Sequence, residues 1–365
     1  MFKRAFAPPS LAVLSFAILF VAGDRDVRAQ TAITDWSLSF SDGADSNDEG
    51  IRFRNQTYAI TRFSTARTGY SLGAAAESAH VRRNQDSSGN GSNNQSGVDN
   101  NNRSSVWNTQ YDGADDLVGS NPTSLREVLL NNNAIMGSDN LFTNGSAPGL
   151  KSTGNIERVD FYFGATVVNA MDGLSVFDRG VAGAHDSVKI AVFTSWSGGP
   201  FGSLQPTAYS GNVVTLTAAN YGNNLDVNPF TAGTQDTLTY TLLRYNSGDN
   251  ITALDEANEV NTQGVAGAFI SFADLGIATG TTIYGYSIMA ADVTTNVANL
   301  ANWNNATYYP TGTSDANGGI DLMSFNGRIA RPVPEPSTYG ALLLGGCVGV
   351  WMLRRRVVAQ KPGKN

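Results

Sequence analysis

The chain has 365 residues, 41% of them apolar, with 24 basic and 31 acidic side chains, and is long enough to bury one large or two modest hydrophobic cores. Nine of the basic residues sit at the two ends (Lys3, Arg4, Arg25, Arg28, Arg354, Arg355, Arg356, Lys361 and Lys364), so the body up to Arg331 together with Glu335 holds 29 acidic against 15 basic groups, a net of −14. That balance argues against nucleic acid as a partner and fits a soluble acidic body able to meet divalent cations or neutral polysaccharide.

The N-terminus carries Lys3 and Arg4, an apolar segment from Leu11 to Ala22, and small-residue cleavage positions at Val27 and Ala29. These features define a secretory signal peptide over residues 1–29 with a mature start at Gln30. Its uninterrupted apolar part, about a dozen residues, is short of the ~18 that a membrane span needs. The single cysteine, Cys347, lies near the other end, so the body has no disulfide.

The body, residues 30–331, opens with short alternating segments, Trp36 to Phe40 and Tyr58 to Phe63, each closed by Gly, Asn or Asp. They read as strands. From about 84 to 116 the chain is rich in Asn, Ser and Gly and reads as a mobile surface loop, with Trp107 and Tyr111 marking re-entry to the fold. A capping box at Ser124 and Glu127 starts a short helix whose apolar face is Leu125, Val128, Leu129 and Leu130, and Asn131 to Asn133 weaken it. Six strands follow: Ile156 to Phe163, Ser187 to Trp196, Asn212 to Thr217, Thr237 to Tyr245, Val265 to Phe272 and Thr282 to Met289. Because turns rather than helices join them, the sheet must be antiparallel, and the expected fold is a mainly β, jelly-roll-like sandwich. Phe193, on the opposite side of its strand from Val188, Ile190 and Val192, predicts a strand covered on both faces. A weak helical pattern spans Thr295 to Trp303, and a last strand is expected around Ile320 to Arg328.

Few residues in the body suggest chemistry. Asp45, Asn47 and Glu49 alternate before Gly50 as calcium ligands do, but the position where a bidentate carboxylate belongs is Gln56, so calcium is only a weak candidate there. Asp112, Asp115 and Asp116 are weaker still. His80 and His185 have no metal-ligand spacing and read as solvated loop residues. No phosphate-binding Gly-x-x-x-x-Gly-Lys motif occurs. A polysaccharide hydrolase needs only two carboxylates, which leaves Glu77, Glu127, Glu157, Glu256 and Glu259 open, while Trp107, Trp196, Trp303, Tyr308 and Tyr309 are either sugar-stacking or packing aromatics. Thr237, Thr239 and Thr241 share a strand face, yet no repeat extends it into an ice-binding array.

The C-terminal stretch is the most specific. Val333-Pro334-Glu335-Pro336 precedes an apolar run from Ser337 to Leu353, which Arg354, Arg355 and Arg356 close as a positive-inside stop. Seventeen helical residues span about 25 Å against a ~30 Å hydrocarbon core, enough to cross with local thinning or snorkelling. Residues 332–365 resemble the PEP-CTERM sorting signal of exported bacterial proteins, also known as an ice-binding-protein C-terminal domain. Val357 to Asn365 and Cys347 depart from that pattern. Ser124 to Asn144, Ile156 to Phe163 and Tyr284 to Trp303 look like segments of other such exported proteins. The resemblance implies recognition of Glu335 and its flanking prolines by an exosortase-type membrane enzyme. It further implies passage through an inner-membrane-anchored intermediate and delivery to the cell surface or exopolysaccharide matrix. The expected function is structural or adhesive, without catalysis or cofactor; the alternatives are a secreted carbohydrate-binding module or a polysaccharide hydrolase.

Overall fold

The computed structural model describes residues 30–41, 57–83, 105–108, 129–130, 136–139, 141–142, 156–180, 183–197, 205–225, 238–245, 254–302, 305–310, 319–333, 348 and 350–352. Fourteen strands occur among them: β1 (Thr31–Ser41), β2 (Thr57–Thr65), β3 (Gly69–Ala75), β4 (Ser78–Arg83), β5 (Ser105–Asn108), β6 (Met136–Asp139), β7 (Ile156–Val167), β8 (Gly173–Gly180), β9 (Val188–Ser197), β10 (Gln205–Leu216), β11 (Leu238–Tyr245), β12 (Leu254–Ser271), β13 (Thr282–Ala290) and β14 (Arg328–Pro332). Every strand pairing among the described residues is antiparallel.

One sheet closes on itself. In the order β1-β2-β3-β14-β8-β12, the last strand returns to the first through Thr31↔Phe269 and Ala32↔Ala268, making a six-stranded barrel. Beyond this closure β12 extends to pair with β11, and β5 and β6 follow outward. The second sheet is open, in the order β10-β9-β13-β7-β4. The mainly β, antiparallel expectation therefore holds, while a closed ring beside one open sheet stands where two open sheets were expected.

Alternation along β8 and β12 explains how the two units join. Phe177, Val265 and Phe269 turn into the barrel with Trp36, Phe63, Tyr70 and Phe325. Leu174, Val176, Ala266, Ala268 and Ile270 turn the other way, onto Val159, Phe161, Ile190, Val192, Tyr286 and Ile288 of the second sheet. A strand shared by two cores has no solvated face, and all eight residues of β8 are buried. Inside the barrel, rings pack edge to face or offset, with Phe177 and Phe325 centroids 4.7 Å apart and Phe63 stacked on Tyr70 at 5.2 Å. Each fully buried Phe contributes about 1.5–3 kcal/mol.

Several local expectations shift. Ile320 to Arg328 is not one strand. Two residues make isolated bridges, Leu322 opposite Asp178 and Met323 opposite Gly137. Asn326 then replaces strand pairing with its side chain: Nδ2 donates to Phe177 O and Met323 O at 3.0 Å each, and Oδ1 accepts from Phe177 N at 3.0 Å. Gly327 at φ +82° breaks the extended path, and β14 begins after it. Within the polar stretch at 84–116, residues Ser105–Asn108 form β5, and the remainder lies outside the described residues. Of the helix expected from Ser124, Leu129 and Leu130 are described and helical, with Leu129 fully buried. The pattern at Thr295 to Trp303 is a single 3-10 turn, Val297–Asn299, which Asn296 caps by accepting from Ala298 N at 3.1 Å. Only 348 and 350–352 of the C-terminal apolar run are described; they are helical, with Val348, Val350, Trp351 and Met352 exposed. Among the described residues no helix is long and apolar enough to cross a membrane.

Candidate functional site

The second sheet has an apolar face toward the barrel and a polar face away from it. Cross-strand register builds the polar face in rows. His80, Asp160, Ser287 and Ala191 lie side by side across β4, β7, β13 and β9, and the next row is Ser78, Tyr162, Gly285 and Phe193, continued by Tyr209 of β10. A third row, through Arg82, Arg158, Met289 and Lys189, borders the first on its other side.

This face is covered at one end by the segment that follows β13, through Leu300 and Tyr309, both fully buried. Arg158 holds the cover down. Its Nη1 donates to Leu300 O at 2.5 Å and to the Tyr309 hydroxyl at 2.8 Å, while Tyr309 itself donates to Leu300 O at 2.7 Å. Arg158 Nε lies 2.7 Å from Asp160 Oδ1, and neither side chain is exposed. Ser287 donates to the same carboxylate oxygen at 2.6 Å; the Tyr209 hydroxyl, 2.7 Å from Ser287 Oγ, supplies the proton of the next link. Burial alone would push the Arg158 guanidinium down, but Asp160 and the two tyrosines more than reverse it and hold it above its ordinary value. Burial likewise raises Tyr309 to about 12, against the pull of Arg158. Beside it, Lys189 donates to Val293 O, and burial lowers its pKa while Asp292 opposes the shift. With both partners at zero exposure, the Arg158–Asp160 network ties chain segments together rather than offering a group to a ligand.

At the other end the same face is roofed by Trp196. Its ring stacks on Tyr162 at 4.8 Å and on Phe193 at 5.3 Å, both at 27°, and His80 lies 5.1 Å away. Gly285 makes this possible, because a Cβ there would sit 2.3 Å from Phe193 Cζ and 2.0 Å from Phe161 O. Trp196 and Tyr162 remain half-buried, so part of this planar aromatic surface faces solvent. Hydroxyl groups flank it, with Ser78 Oγ 2.7 Å from His80 Nε2 and Thr207 donating to Ser195 at 2.7 Å.

Both histidines depart from the solvated-loop expectation, since each is 4% exposed. His80 belongs to β4 under Trp196. His185 stands with Nδ1 3.3 Å from Asp178 and Nε2 3.3 Å from Asn224, its ring against Tyr221 at 5.3 Å. Asp178 also accepts from Asp186 N at 2.8 Å and Asp321 N at 2.9 Å, and Arg179 pairs with Asp321 at 3.1 Å. Burial, with Asp178 and Asp186 nearby, pushes the Tyr221 hydroxyl well up.

Of the aromatic candidates, Tyr309 is core, while Tyr308, which packs against the core, and Trp196 are half-buried. Trp303 and the side chain of Trp107 lie outside the described residues, as do Asp45, Asn47, Glu49, Asp112, Asp115, Asp116, Pro334, Glu335, Pro336 and Arg354 to Arg356. Val333 is described: its N–H donates to Gly69 O at 2.8 Å, so the body grips the chain up to the residue before Pro334. Of the carboxylates, Glu77 is exposed and Glu157 buried. Glu77 N donates to Tyr162 O, five residues along β7 from Glu157, a run of about 16 Å of strand. Arg158, Asp160, Ser287 and Tyr209 were not singled out from sequence. The legible signal was Arg-x-Asp within an expected strand, a spacing that puts both charges on one face. Comparison of the chain with protein-family models, with curated proteins and with solved structures gives no match in any of the three.

Proposed function

We propose that this is an exported surface or exopolysaccharide-matrix protein whose C-terminal stretch is read by an exosortase-type membrane enzyme, and that the barrel-and-sheet body serves a structural or adhesive role. One observation carries the reading: Val333-Pro334-Glu335-Pro336, an apolar run and three arginines follow directly from the barrel's last strand. A processing enzyme needs an accessible motif on a firmly held body, and the Val333–Gly69 bond supplies that junction. The signal peptide at 1–29, the inner-membrane intermediate and the surface destination belong to the same reading. In a host with the sorting enzyme, truncation after Val333 is expected to move the body from the cell surface into the medium, and the mature full-length chain is expected to end within or just after the motif by intact-mass measurement. Unchanged surface retention of the truncated chain would overturn the sorting role.

A carbohydrate-binding module is the second reading, favoured by the half-buried Trp196–Tyr162 stack with hydroxyl groups at its rim. A sugar ring laid on this surface would lose about tenfold in affinity with Trp196→Ala, corresponding to roughly 1.5 kcal/mol of stacking. A glycan array followed by titration of the best binder, with thermal unfolding to verify the variant's fold, checks it. No binding by the unaltered chain removes this reading.

A further inference from the structure

We infer that the barrel face carrying Arg62 and Arg331 is a contact surface for anionic phospholipid headgroups, held against the membrane while the C-terminal helix is still inserted. The inference rests on the membrane-anchored reading of that helix.

Register places Ser37, Arg62, Ser71 and Arg331 side by side across β1, β2, β3 and β14. Their neighbours Trp36, Phe63, Tyr70 and Ala330 fill the barrel, so alternation turns this row outward. Arg62 and Arg331 are exposed, two strands and hence about 10 Å apart at the backbone. Among the described residues neither makes an ion pair. Arg67, also exposed, lies in the turn between β2 and β3. Asp35 is the one acidic residue on these four strands. In an acidic body this grouping is unusual: of the other described basic residues whose burial is defined, Arg158 and Arg179 are buried and Lys189 and Arg328 half-buried.

The position of the row matters more than its charge. Arg331 belongs to the last strand, and Val333 is still bonded to Gly69. From Val333 to Ser337, where the apolar run begins, four residues can span at most about 14 Å. An inserted helix therefore keeps this face within reach of the headgroups, whatever direction the linker takes. A body with net charge −14 would otherwise be repelled by an anionic leaflet, and two or three arginines at the point of attachment offset that repulsion where it is strongest.

The full chain, purified in detergent and reconstituted with vesicles, tests this by flotation and hydrogen exchange. Flotation with pure phosphatidylcholine reports insertion of the tail. Exchange at residues 58–75 and 328–333 reports the arginine face, and is expected to slow about tenfold when phosphatidylglycerol makes up a third of the lipid, by the usual gain per arginine at an anionic surface. The slowing should vanish in 0.5 M salt and in the Arg62→Gln/Arg331→Gln variant, whose unfolding midpoint should be unchanged because both side chains are exposed. Equal exchange in the two lipids, or slowing that survives the double substitution, overturns the proposal. If the chain does not float with phosphatidylcholine, the anchored reading fails instead, and salt-sensitive flotation with the anionic vesicles alone decides the arginine face. Protection by a soluble polyanionic polysaccharide but not by anionic vesicles would assign the face to a matrix polymer and reject the lipid.

Discussion

Replacing Arg158 by methionine is expected to lower the thermal unfolding midpoint of the body by about 10 °C. The guanidinium and Asp160 are both fully buried, with Nε and Oδ1 2.7 Å apart. Removing one member leaves a carboxylate in a low-dielectric interior without its counter-charge, beside the Ser287 hydroxyl and with the Tyr209 hydroxyl at 3.5 Å, which costs about 3–5 kcal/mol. At roughly 2–4 °C per kcal/mol for a large domain, the shift is readily seen by calorimetry or circular dichroism. Arg158 also donates to Leu300 O and Tyr309, so the segment covering the sheet should loosen in the same variant, with faster hydrogen exchange from 294 to 310. The double substitution Arg158→Met/Asp160→Leu should recover much of the loss, because no charge is then stranded. A single variant that melts within 2 °C of the parent would show that water reaches the pair and that the cover is held by other contacts.

The second large effect is expected at Gly285. An alanine Cβ would lie 2.0 Å from Phe161 O and 2.3 Å from Phe193 Cζ, and neither backbone oxygen nor packed ring can yield without parting β13 from β7 or unstacking Phe193 from Trp196. Overpacking of this severity costs about 3 kcal/mol or more. Gly183→Ala separates crowding from backbone preference. Gly183 has φ +81° with nothing within 4 Å of its added Cβ, so only the left-handed backbone is penalised, at about 1 kcal/mol. Urea unfolding of the two variants should rank them in that order, and near-ultraviolet dichroism of the Trp196 cluster should change for Gly285→Ala alone. Equal losses would mean that the Phe193–Trp196 stack is soft and Gly285 is not what positions it.

These effects bear on function through the same face. If the Trp196–Tyr162 surface binds a sugar, Gly285 keeps it flat, and the Arg158 network at the far end of the sheet keeps the face from opening. Neither group needs to touch the ligand. Their substitution should change affinity only as far as it changes the fold, whereas Trp196→Ala should change affinity in a folded protein.

Strands were legible because alternation and turn residues are local. Trp36 and Leu38 alternate with polar neighbours, and the sequence between the later strand patterns is rich in turn residues rather than helical in period, so antiparallel pairing followed from sequence alone. Burial of β9 on both sides was equally legible, from Phe193 lying opposite Val192 and Ile190. The proposed sorting role of Val333 to Arg356 rests on the sequence pattern alone. Barrel closure was not. It depends on Thr31 meeting Phe269, a pairing between distant strands that local pattern does not encode. His80 and His185 were read as solvated for the same reason: the Trp196 ring over one and the Asp178, Asn224 and Tyr221 groups around the other come from elsewhere in the chain. In Arg158-x-Asp160 the sequence determined that both charges share a face. Only the tertiary structure decided that the face is covered by Leu300 and Tyr309, because side-chain direction is set by the strand's own backbone, while burial is set by whichever distant segment packs on top.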